Sequence, residues 1–387
     1  MLKVFNLRIA HVSDTHLGRR QYNLDEREND TYDVFNEVIE KVLEERVEVF
    51  IHSGDLFDSP TPPIKALKNF KENLKKLQGK VKLITVLGDH DFPKRRGLPP
   101  HSLFEEVRVL GVGELEWLEV DGVFIAGISN VRGRSIELLK TELQKFDQAA
   151  SRYSKSILVA HQGVDKYLPF EGAYELKEAD LPKKASYYAF GHIHSRALTK
   201  FGGGYFAYAG STEIMRRDEV KSWVKDGKGF YIVDLDGDEL KVHKIDVDVR
   251  PQYEVELDLT RESLQDPLSK CLISVKKMPI LHIYVSGKNI NTRQILNNLN
   301  LLLKDKTLKY NVFFKDLTTV QREAMLKFRE EDSVNLRRKL IGEYLNSLGL
   351  GDRIYVDLAW KLYEHLSKDE IDQAKKVVEE YVAGEEK

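Results

Sequence analysis

Aspartate and histidine side chains recur in short clusters along the first half of the chain. The clusters contain Asp14, His16, Asp55, Asp89, His90, His161, His192 and His194. Carboxylates and imidazoles without thiolates suit manganese, iron or zinc better than calcium, and a bridging carboxylate can hold two ions about 3.5–4 Å apart. Two such ions can clamp a phosphate and generate hydroxide. The clusters therefore predict a two-metal phosphoesterase, whereas a single structural metal or a metal-free polar cluster would need only about three or four of these residues.

Each cluster follows a short apolar segment. The segments are Arg8–Val12, Val47–Ile51, Lys82–Leu87, Ile157–Ala160 and Tyr187–Phe190. Such segments predict buried strands. Tyr32–Arg46 and Ile64–Leu77 lie between the first three segments and carry apolar side chains at helical spacing, which predicts two helices. Alternating strands and helices predict a βαβ sheet, and ligands bind such sheets at the carboxyl ends of the strands.

The pattern of expected strands and helices changes further along the chain. Short strands are expected at Val123–Ile128, Gly204–Tyr208, Phe230–Asp234 and Leu240–Ile245. They predict a second sheet packed against the first. After Pro251, one helix is expected at Thr292–Leu303, among strands at Tyr253–Leu257, Leu281–Val285 and Tyr310–Phe314. We therefore expect a layered α/β domain over 1–250, built as a β-sandwich flanked by helices. A small α/β capping domain should follow over 251–317 and a charged helical region over 318–387.

The composition excludes some classes of protein. Lysine and arginine number 60 against 62 aspartates and glutamates, so any nucleic-acid binding must depend on local patches. Cys271 is the only cysteine, which excludes an intrachain disulfide and fits a reducing cytoplasm. No apolar run has the length of a membrane span, and the opening segment predicts a strand rather than a signal peptide. We expect a cytoplasmic protein that does not bind membranes.

Five of the clusters resemble the motifs of the calcineurin-like metallophosphoesterases. The matching residues are Asp14-Thr15-His16, Gly54-Asp55-Leu56-Phe57-Asp58, Gly88-Asp89-His90-Asp91, His161 and Gly191-His192-Ile193-His194. The resemblance implies a layered metallophosphoesterase sandwich, with His90 protonating the leaving oxygen. It also implies a first metal held by Asp14, His16 and His194, a second held by Asp89, His161 and His192, and Asp55 bridging the two.

The third motif carries both the expected proton donor and a departure from the family pattern. An imidazolium such as His90 donates protons near neutral pH, and the Asp58 carboxylate either orients that ring or is a solvated loop residue. The family usually has asparagine where Asp89 stands. The carboxylate also binds metal, but its charge lowers the net positive charge of the centre by one and weakens its attraction for phosphate. A weakened centre is the alternative that Asp89 leaves open.

The sequence around the motifs resembles the archaeal and bacterial DNA double-strand-break repair nucleases of the SbcD and Mre type. The likeness lies in Asp14-Thr15-His16-Leu17-Gly18, Glu26-Arg27-Glu28-Asn29-Asp30 and Phe92-Pro93. It implies a homodimeric, manganese-dependent exonuclease on duplex DNA and endonuclease on single strands, working in the nucleoid with an SMC-like coiled-coil ATPase of the SbcC type. It also implies a helix over His101–Leu110. The rival interpretations are a phosphatase or cyclic-nucleotide phosphodiesterase, and a DNA-bridging scaffold with a weakened site.

Local features give candidates for the DNA and partner contacts. Basic side chains follow the motifs at Arg19, Arg20, Lys94, Arg95, Arg96, Arg132 and Arg134, where they predict contacts with DNA phosphates or form ordinary solvated surface. Apolar stripes on the C-terminal helices include Tyr344, Trp360 and Tyr363. Such stripes indicate local packing or a surface for a partner's coiled coil, which the likeness identifies as the base of the ATPase arms.

Overall fold

The computed structural model describes residues 7–93, 97–168, 173–236, 240–259, 265–272, 276–316, 330–347, 352–366 and 371–385. These residues form two compact units. The first unit contains two large sheets and most of a third, smaller sheet, and the second contains the C-terminal helices. No helix among the described residues is both long and apolar enough to cross a bilayer.

The first large sheet has the strand order β12-β11-β1-β2-β3-β4. Its strands are β1 (Arg8–Val12), β2 (Val49–His52), β3 (Lys82–Thr85), β4 (Val107–Val109), β11 (Gly229–Asp234) and β12 (Lys241–Asp246). Strands β1 to β4 run parallel, because helices α1 (Asp25–Glu44) and α2 (Ile64–Leu77) return the chain after β1 and β2. Strand β11 pairs antiparallel with β1.

The second large sheet has the strand order β5-β6-β7-β8-β10-β9. Its strands are β5 (Glu116–Val120), β6 (Val123–Ile128), β7 (Ser156–His161), β8 (Tyr187–Gly191), β9 (Ala197–Phe201) and β10 (Gly204–Tyr208). The four central strands are parallel, and the edge strands β5 and β9 are antiparallel to their neighbours. Helices α3 (Ile136–Gln144), α4 (Phe146–Ala149) and α5 (Val220–Asp226) complete this part of the chain.

Alternation of side chains along the strands assigns each face of a sheet to a different core. In β1 and β2, Ala10 and Phe50 pack with the apolar faces of α1 and α2. Their neighbours Ile9 and Ile51 point the other way and pack against Ile157 of the second sheet. The far face of the second sheet packs against α3 and α4. The layers are therefore helices, sheet, sheet and helices, which confirms the predicted layered α/β fold.

A three-stranded sheet of β13 (Gln252–Asp258), β14 (Ile280–Gly287) and β15 (Lys309–Asp316) forms most of the remaining structure of the first unit. Helices α6 (Gln265–Cys271) and α7 (Thr292–Leu303) accompany it. Arg250, just before β13, donates from Nε to Asp30 of α1 at 2.6 Å, and Arg27 donates to the same carboxylate at 2.6 Å. A buried ionic cluster thus ties the small sheet to the first helix. The second unit contains helices at Glu330–Ser347, Arg353–Leu366 and Ile371–Glu385.

Three sequence expectations differ from the structure. The strands expected at Phe230–Asp234 and Leu240–Ile245 join the first sheet as β11 and β12, and not the second, because β11 pairs with β1. The first helix begins at Asp25 rather than Tyr32 and ends at Glu44, because its first two turns carry charged side chains that do not show the apolar spacing. The expected helix over His101–Leu110 is wrong. That segment is a short 3₁₀ turn at Pro100–Leu103 followed by strand β4, since the β-branched Val107 and Val109 favour an extended edge strand beside β3.

Candidate metal centre

Loops at the carboxyl ends of the strands bring the predicted ligands together. Asp14 and His16 follow β1, Asp55 follows β2 and Asp89 follows β3 in the first sheet. His161 ends β7, and His192 and His194 follow β8 in the second sheet. The candidate centre is therefore built on the edge where the two sheets meet.

The side chains fall into two sets of three that share a neighbour. One set is Asp14, His16 and His194, the other is Asp89, His161 and His192, and within each set the ligand atoms lie within 4.8 Å of one another. Asp55 lies between the sets, with Oδ2 at 3.6 Å from His16 Nε2 and 3.4 Å from His161 Nε2. The arrangement matches two cation positions joined by one buried carboxylate.

Four of these residues have a backbone conformation that side chains other than glycine rarely adopt. The φ angles are 50° at Asp14, 43° at His16, 56° at Asp55 and 94° at His192. Non-glycine residues in such regions cost about 1–3 kcal/mol each, and they persist where the surrounding structure enforces them. The surrounding fold thus holds the ligand loops in strained conformations.

Two glycines allow the loops to approach closely. A Cβ on Gly54 would lie 2.4 Å from His161 Nδ1, and a Cβ on Gly88 would lie 2.1 Å from Asp55 Oδ1. Both distances are shorter than any real contact, so a side chain at either position would displace a ligand. The glycines of the second and third motifs are therefore required by the packing of the centre.

Asp91 joins the second and third motifs, a role that the sequence analysis did not assign. Its buried carboxylate accepts hydrogen bonds from the main-chain N–H of Asp55 at 2.8 Å, Phe57 at 3.2 Å and Gly88 at 2.9 Å. Burial raises the pKa of Asp91 above its ordinary value despite the nearby His101. The motif itself carried the signal, because Asp91 belongs to the Gly88–Asp91 cluster.

His194 is held from behind by a second group that the sequence did not reveal. Its Nδ1 lies 2.7 Å from Glu219 Oε1, and the buried ammonium of Lys228 donates to Glu219 Oε2 at 2.6 Å. Burial opposes ionisation of Glu219, but Lys228 and His194 hold its pKa well below the usual range. A carboxylate behind a histidine fixes the ring so that Nε2 faces the cation position. Neither Glu219 nor Lys228 belongs to a motif, so no local signal marks them.

The electrostatics of the centre suit cations. Burial by itself would lower the pKa of His161, yet Asp55 and Asp89 hold that pKa well above its ordinary value. Burial likewise opposes ionisation of Asp55 and Asp89, but the pKa of each carboxyl lies far below its usual range because histidines surround it. Carboxylate and imidazole ligands of this kind fit two divalent ions such as manganese.

His90 lies at the rim of the centre rather than inside it. Its ring packs edge-on to His16 with centroids 4.8 Å apart, and 38% of its side chain is exposed. It lines a cavity of about 860 Å³ together with Asp89 and Arg132. Nδ1 of His90 lies 2.8 Å from the main-chain oxygen of Asp58. The ring is therefore oriented by the Asp58 carbonyl, and not by its carboxylate as the sequence suggested.

The Asp58 carboxylate instead lies behind His16, on the side of the ring away from Asp55 and His194. Its Oδ1 lies 3.3 Å from His16 Nδ1 and accepts a hydrogen bond from Arg19 at 2.9 Å. Burial opposes its ionisation, but His16 and Arg19 lower the pKa of Asp58 below the ordinary value. Asp58 thus contacts both the expected proton donor and a metal ligand, through different atoms.

The predicted DNA-contact residues differ in the side chains that they contact. Arg132 lies 3.0 Å from Asp89 and lines the cavity, and Arg20 pairs with Asp25 at 2.6 Å. Lys94, Arg95 and Arg96 lie outside the described residues, and so does the side chain of Arg134. Arg132 therefore reaches a ligand of the centre, Arg19 reaches Asp58 beside it, and Arg20 pairs at the start of α1.

The predicted partner residues differ in exposure within the second unit. Tyr344 is 67% exposed and Tyr363 is 38% exposed, whereas Trp360 is only 8% exposed. The rings of Trp360 and Tyr363 lie 5.5 Å apart. Trp360 is thus mainly a packing residue, and the two tyrosines are the members of the predicted set that reach the surface.

Comparisons with known proteins agree with this geometry. Residues 7–196 match the family model of calcineurin-like phosphoesterases. The DNA double-strand break repair protein Mre11 of Sulfolobus acidocaldarius is 34% identical, over 91% of this chain and 94% of that protein. The Mre11 proteins of Saccharolobus solfataricus and Methanocaldococcus jannaschii are each 36% identical, over 94% and 96% of this chain and 96% and 97% of theirs. The chain therefore belongs to the Mre11 family of DNA double-strand break repair proteins, within the calcineurin-like metallophosphoesterases.

Proposed function

We propose that the protein is a manganese-dependent DNA nuclease of double-strand-break repair, an exonuclease on duplex DNA and an endonuclease on single strands. The observation that carries the proposal is the pair of ligand sets that share Asp55, with His90 beside them at an open cavity. When bound, two divalent ions polarise a phosphodiester and activate a water molecule. An open cavity suits a polymer, because a long strand must enter and leave at both ends.

His90 is the proposed proton donor to the departing sugar oxygen. With Nδ1–H donating to the Asp58 carbonyl, Nε2 is the ring nitrogen left to hold the transferable proton. Arg132 lines the same cavity and offers a guanidinium to the DNA phosphates. Asp89, His161 and their partners bind the ions, so proton transfer and ion binding are assigned to different residues.

Exposed apolar residues support a homodimer. Ile64 at the start of α2 is 84% exposed, and Leu98 and Leu103 are 79% and 67% exposed. The segment that carries Leu103 packs on α2, since the rings of Phe104 and Phe70 lie 4.9 Å apart. We propose that a second copy of the chain covers this apolar surface.

The remaining parts of the chain have proposed roles in the repair complex. Residues 251–317 would act as the capping domain that holds DNA, and residues 318–387 would bind the SMC-like ATPase through the exposed Tyr344 and Tyr363. The names of the Mre11 relatives support a DNA repair role. A DNA substrate in turn implies a cytoplasmic, nucleoid-associated protein.

The test is degradation of end-labelled duplex and circular single-stranded DNA with Mn²⁺. We expect His90→Ser to abolish cleavage of both while Mn²⁺ binding persists. The matched control is His243→Ser, which changes an exposed histidine on β12 that lies 3.0 Å from Asp234 and outside the centre. The control should cleave like the wild type.

A small phosphodiester run alongside separates the rival functions. Hydrolysis of the small ester with intact DNA would replace the nuclease with a phosphatase or small-molecule diesterase. Bound Mn²⁺ with neither substrate cleaved would favour the weakened DNA-bridging scaffold. Equal cleavage by His90→Ser and the wild type would remove His90 from its role as proton donor.

A further inference from the structure

Arg132 contacts the one metal ligand at which this chain departs from the usual pattern of its family. Its Nη2 lies 3.0 Å from Asp89 Oδ2, and its Nε lies 3.8 Å from Glu175 Oε1. The Arg132 side chain is 51% exposed and lines the cavity in front of His90. The guanidinium therefore approaches Asp89 from the solvent side.

The two oxygens of Asp89 face different neighbours. Oδ1 lies 3.2 Å from His161 Nε2 and 3.1 Å from His192 Nδ1, so it is aimed at the second metal position. Oδ2 faces Arg132. An asparagine that kept its oxygen toward the metal would place its NH₂ group opposite the guanidinium, and both groups are hydrogen-bond donors. The contact with Arg132 thus requires a carboxylate at position 89.

The loop that carries Arg132 is fixed to both sheets. The main-chain N–H of Asn130 donates to the carbonyl of Leu87 at 2.8 Å, two residues before Asp89. The Asn130 side chain donates from Nδ2 to the carbonyl of His161 at 2.7 Å. Arg132 therefore starts from a backbone that is tied to the two strand ends bearing ligands of the second metal position.

We infer that Arg132 is a positioning residue that supplies the counter-charge of Asp89. The guanidinium offsets the negative charge that aspartate adds, so the centre keeps the net charge that asparagine would give it, and with it the attraction for phosphate. This role depends on the two-metal centre proposed above. It differs from a general basic contact with DNA, because it acts through Asp89.

The test compares Mn²⁺ affinity by calorimetry, without DNA, in the wild type, Arg132→Met, Asp89→Asn and the double variant. Arg132→Met should bind Mn²⁺ on the order of tenfold more tightly, because the Asp89 carboxylate no longer shares its charge with a guanidinium. In the Asp89→Asn background the same change should shift the affinity by less than about threefold, since the pair no longer exists. A purely structural role for Arg132 would weaken binding or leave it unchanged.

Hydrolysis of a small phosphodiester gives a second readout. Arg132→Met should slow hydrolysis by about tenfold, because the centre loses one positive charge. The double variant restores the net charge of the wild type and should be faster than Arg132→Met. Arg152→Met is the matched control, because Arg152 is an exposed arginine in the 3₁₀ turn Ala150–Arg152. It should leave both readouts unchanged.

Distinct outcomes overturn this role and the proposed function. Unchanged or weaker Mn²⁺ binding in Arg132→Met, or equal shifts in the two backgrounds, would overturn the counter-charge role while leaving the metal centre intact. A wild-type protein that binds no Mn²⁺ would contradict the metal centre and this role with it. Tighter binding that depends on Asp89 supports the role even if DNA proves not to be the substrate.

Discussion

Lys228 offers a direct measure of how strongly the fold supports the metal centre. Its ammonium is buried and donates hydrogen bonds to Glu219 at 2.6 Å, to Ser211 Oγ at 2.6 Å and to the His194 carbonyl at 2.9 Å. Lys228→Met keeps most of the side-chain volume and removes the charge with all three donors. The buried Glu219 carboxylate then loses its nearest cation and keeps only the more distant Arg216, whose Nε lies 3.8 Å from Oε1.

The expected loss follows from the cost of an uncompensated buried charge. Removing one partner of a buried ion pair costs about 3–5 kcal/mol. In the variant, the Ser211 hydroxyl at 3.0 Å and the Met215 N–H at 3.2 Å still donate hydrogen bonds to Glu219. The lower end of that range therefore applies. We expect Lys228→Met to lower the free energy of unfolding of the first unit by about 3 kcal/mol.

Urea unfolding with chelator present measures this value, because bound metal would otherwise add its own stabilisation. Lys225→Met is the matched control, because Lys225 lies three residues before Lys228 in the last turn of α5 and its side chain is 82% exposed. Its loss should change the unfolding free energy by less than about 0.5 kcal/mol. Adding Glu219→Gln to Lys228→Met removes the stranded charge and should recover part of the loss. A Lys228→Met effect below about 1 kcal/mol, or no recovery in the double variant, would refute the reasoning.

Three further predictions concern the ionic cluster, the small sheet and the ions. Asp30→Asn should lower the unfolding free energy by about 3 kcal/mol in urea titrations, because Arg27 and Arg250 both lose a charged partner. Burial lowers the pKa of His282 to about 4. Its neutral form is favoured in the native state, so up to about 3 kcal/mol of stability should disappear as the pH falls from 6.5 to 4, and His282→Gln should flatten that part of the pH profile. Chelation of divalent ions should lower the melting temperature measured by calorimetry, whereas an absence of any shift would argue against bound metal.

The strands and the ligand loops were predictable because their signals are local. Each apolar segment ends where a polar motif begins, and β1 and β2 are nearly continuous apolar runs because both faces of these strands are buried. Strand ends such as Val12 and Ile128 agree with the sequence expectation to the residue. The clustering of the ligand side chains was predictable as well, because parallel strands end on one edge of a sheet.

The supporting groups were not predictable, since they depend on contacts between distant segments. Glu219 and Lys228 meet His194 only after the chain has folded, and no spacing marks them. The Asp58 contact with His90 uses a main-chain carbonyl, which sequence cannot express. The charge of Asp89 was visible, but its pairing with Arg132 was not.

The two sheets contribute ligands to both cation positions, and this has a consequence for how the activity can change during evolution. Asp14 and His194 reach the first position from opposite sheets, and Asp89 and His161 do the same at the second. The apolar layer between the sheets includes Ile51 and Val159. Its thickness therefore sets the distance between ligands that come from opposite sheets. Substitutions that add or remove one methyl group in that layer can change the distance between the two ions without altering any residue that binds them. Adaptation to a different temperature can thus act on the nuclease through its core.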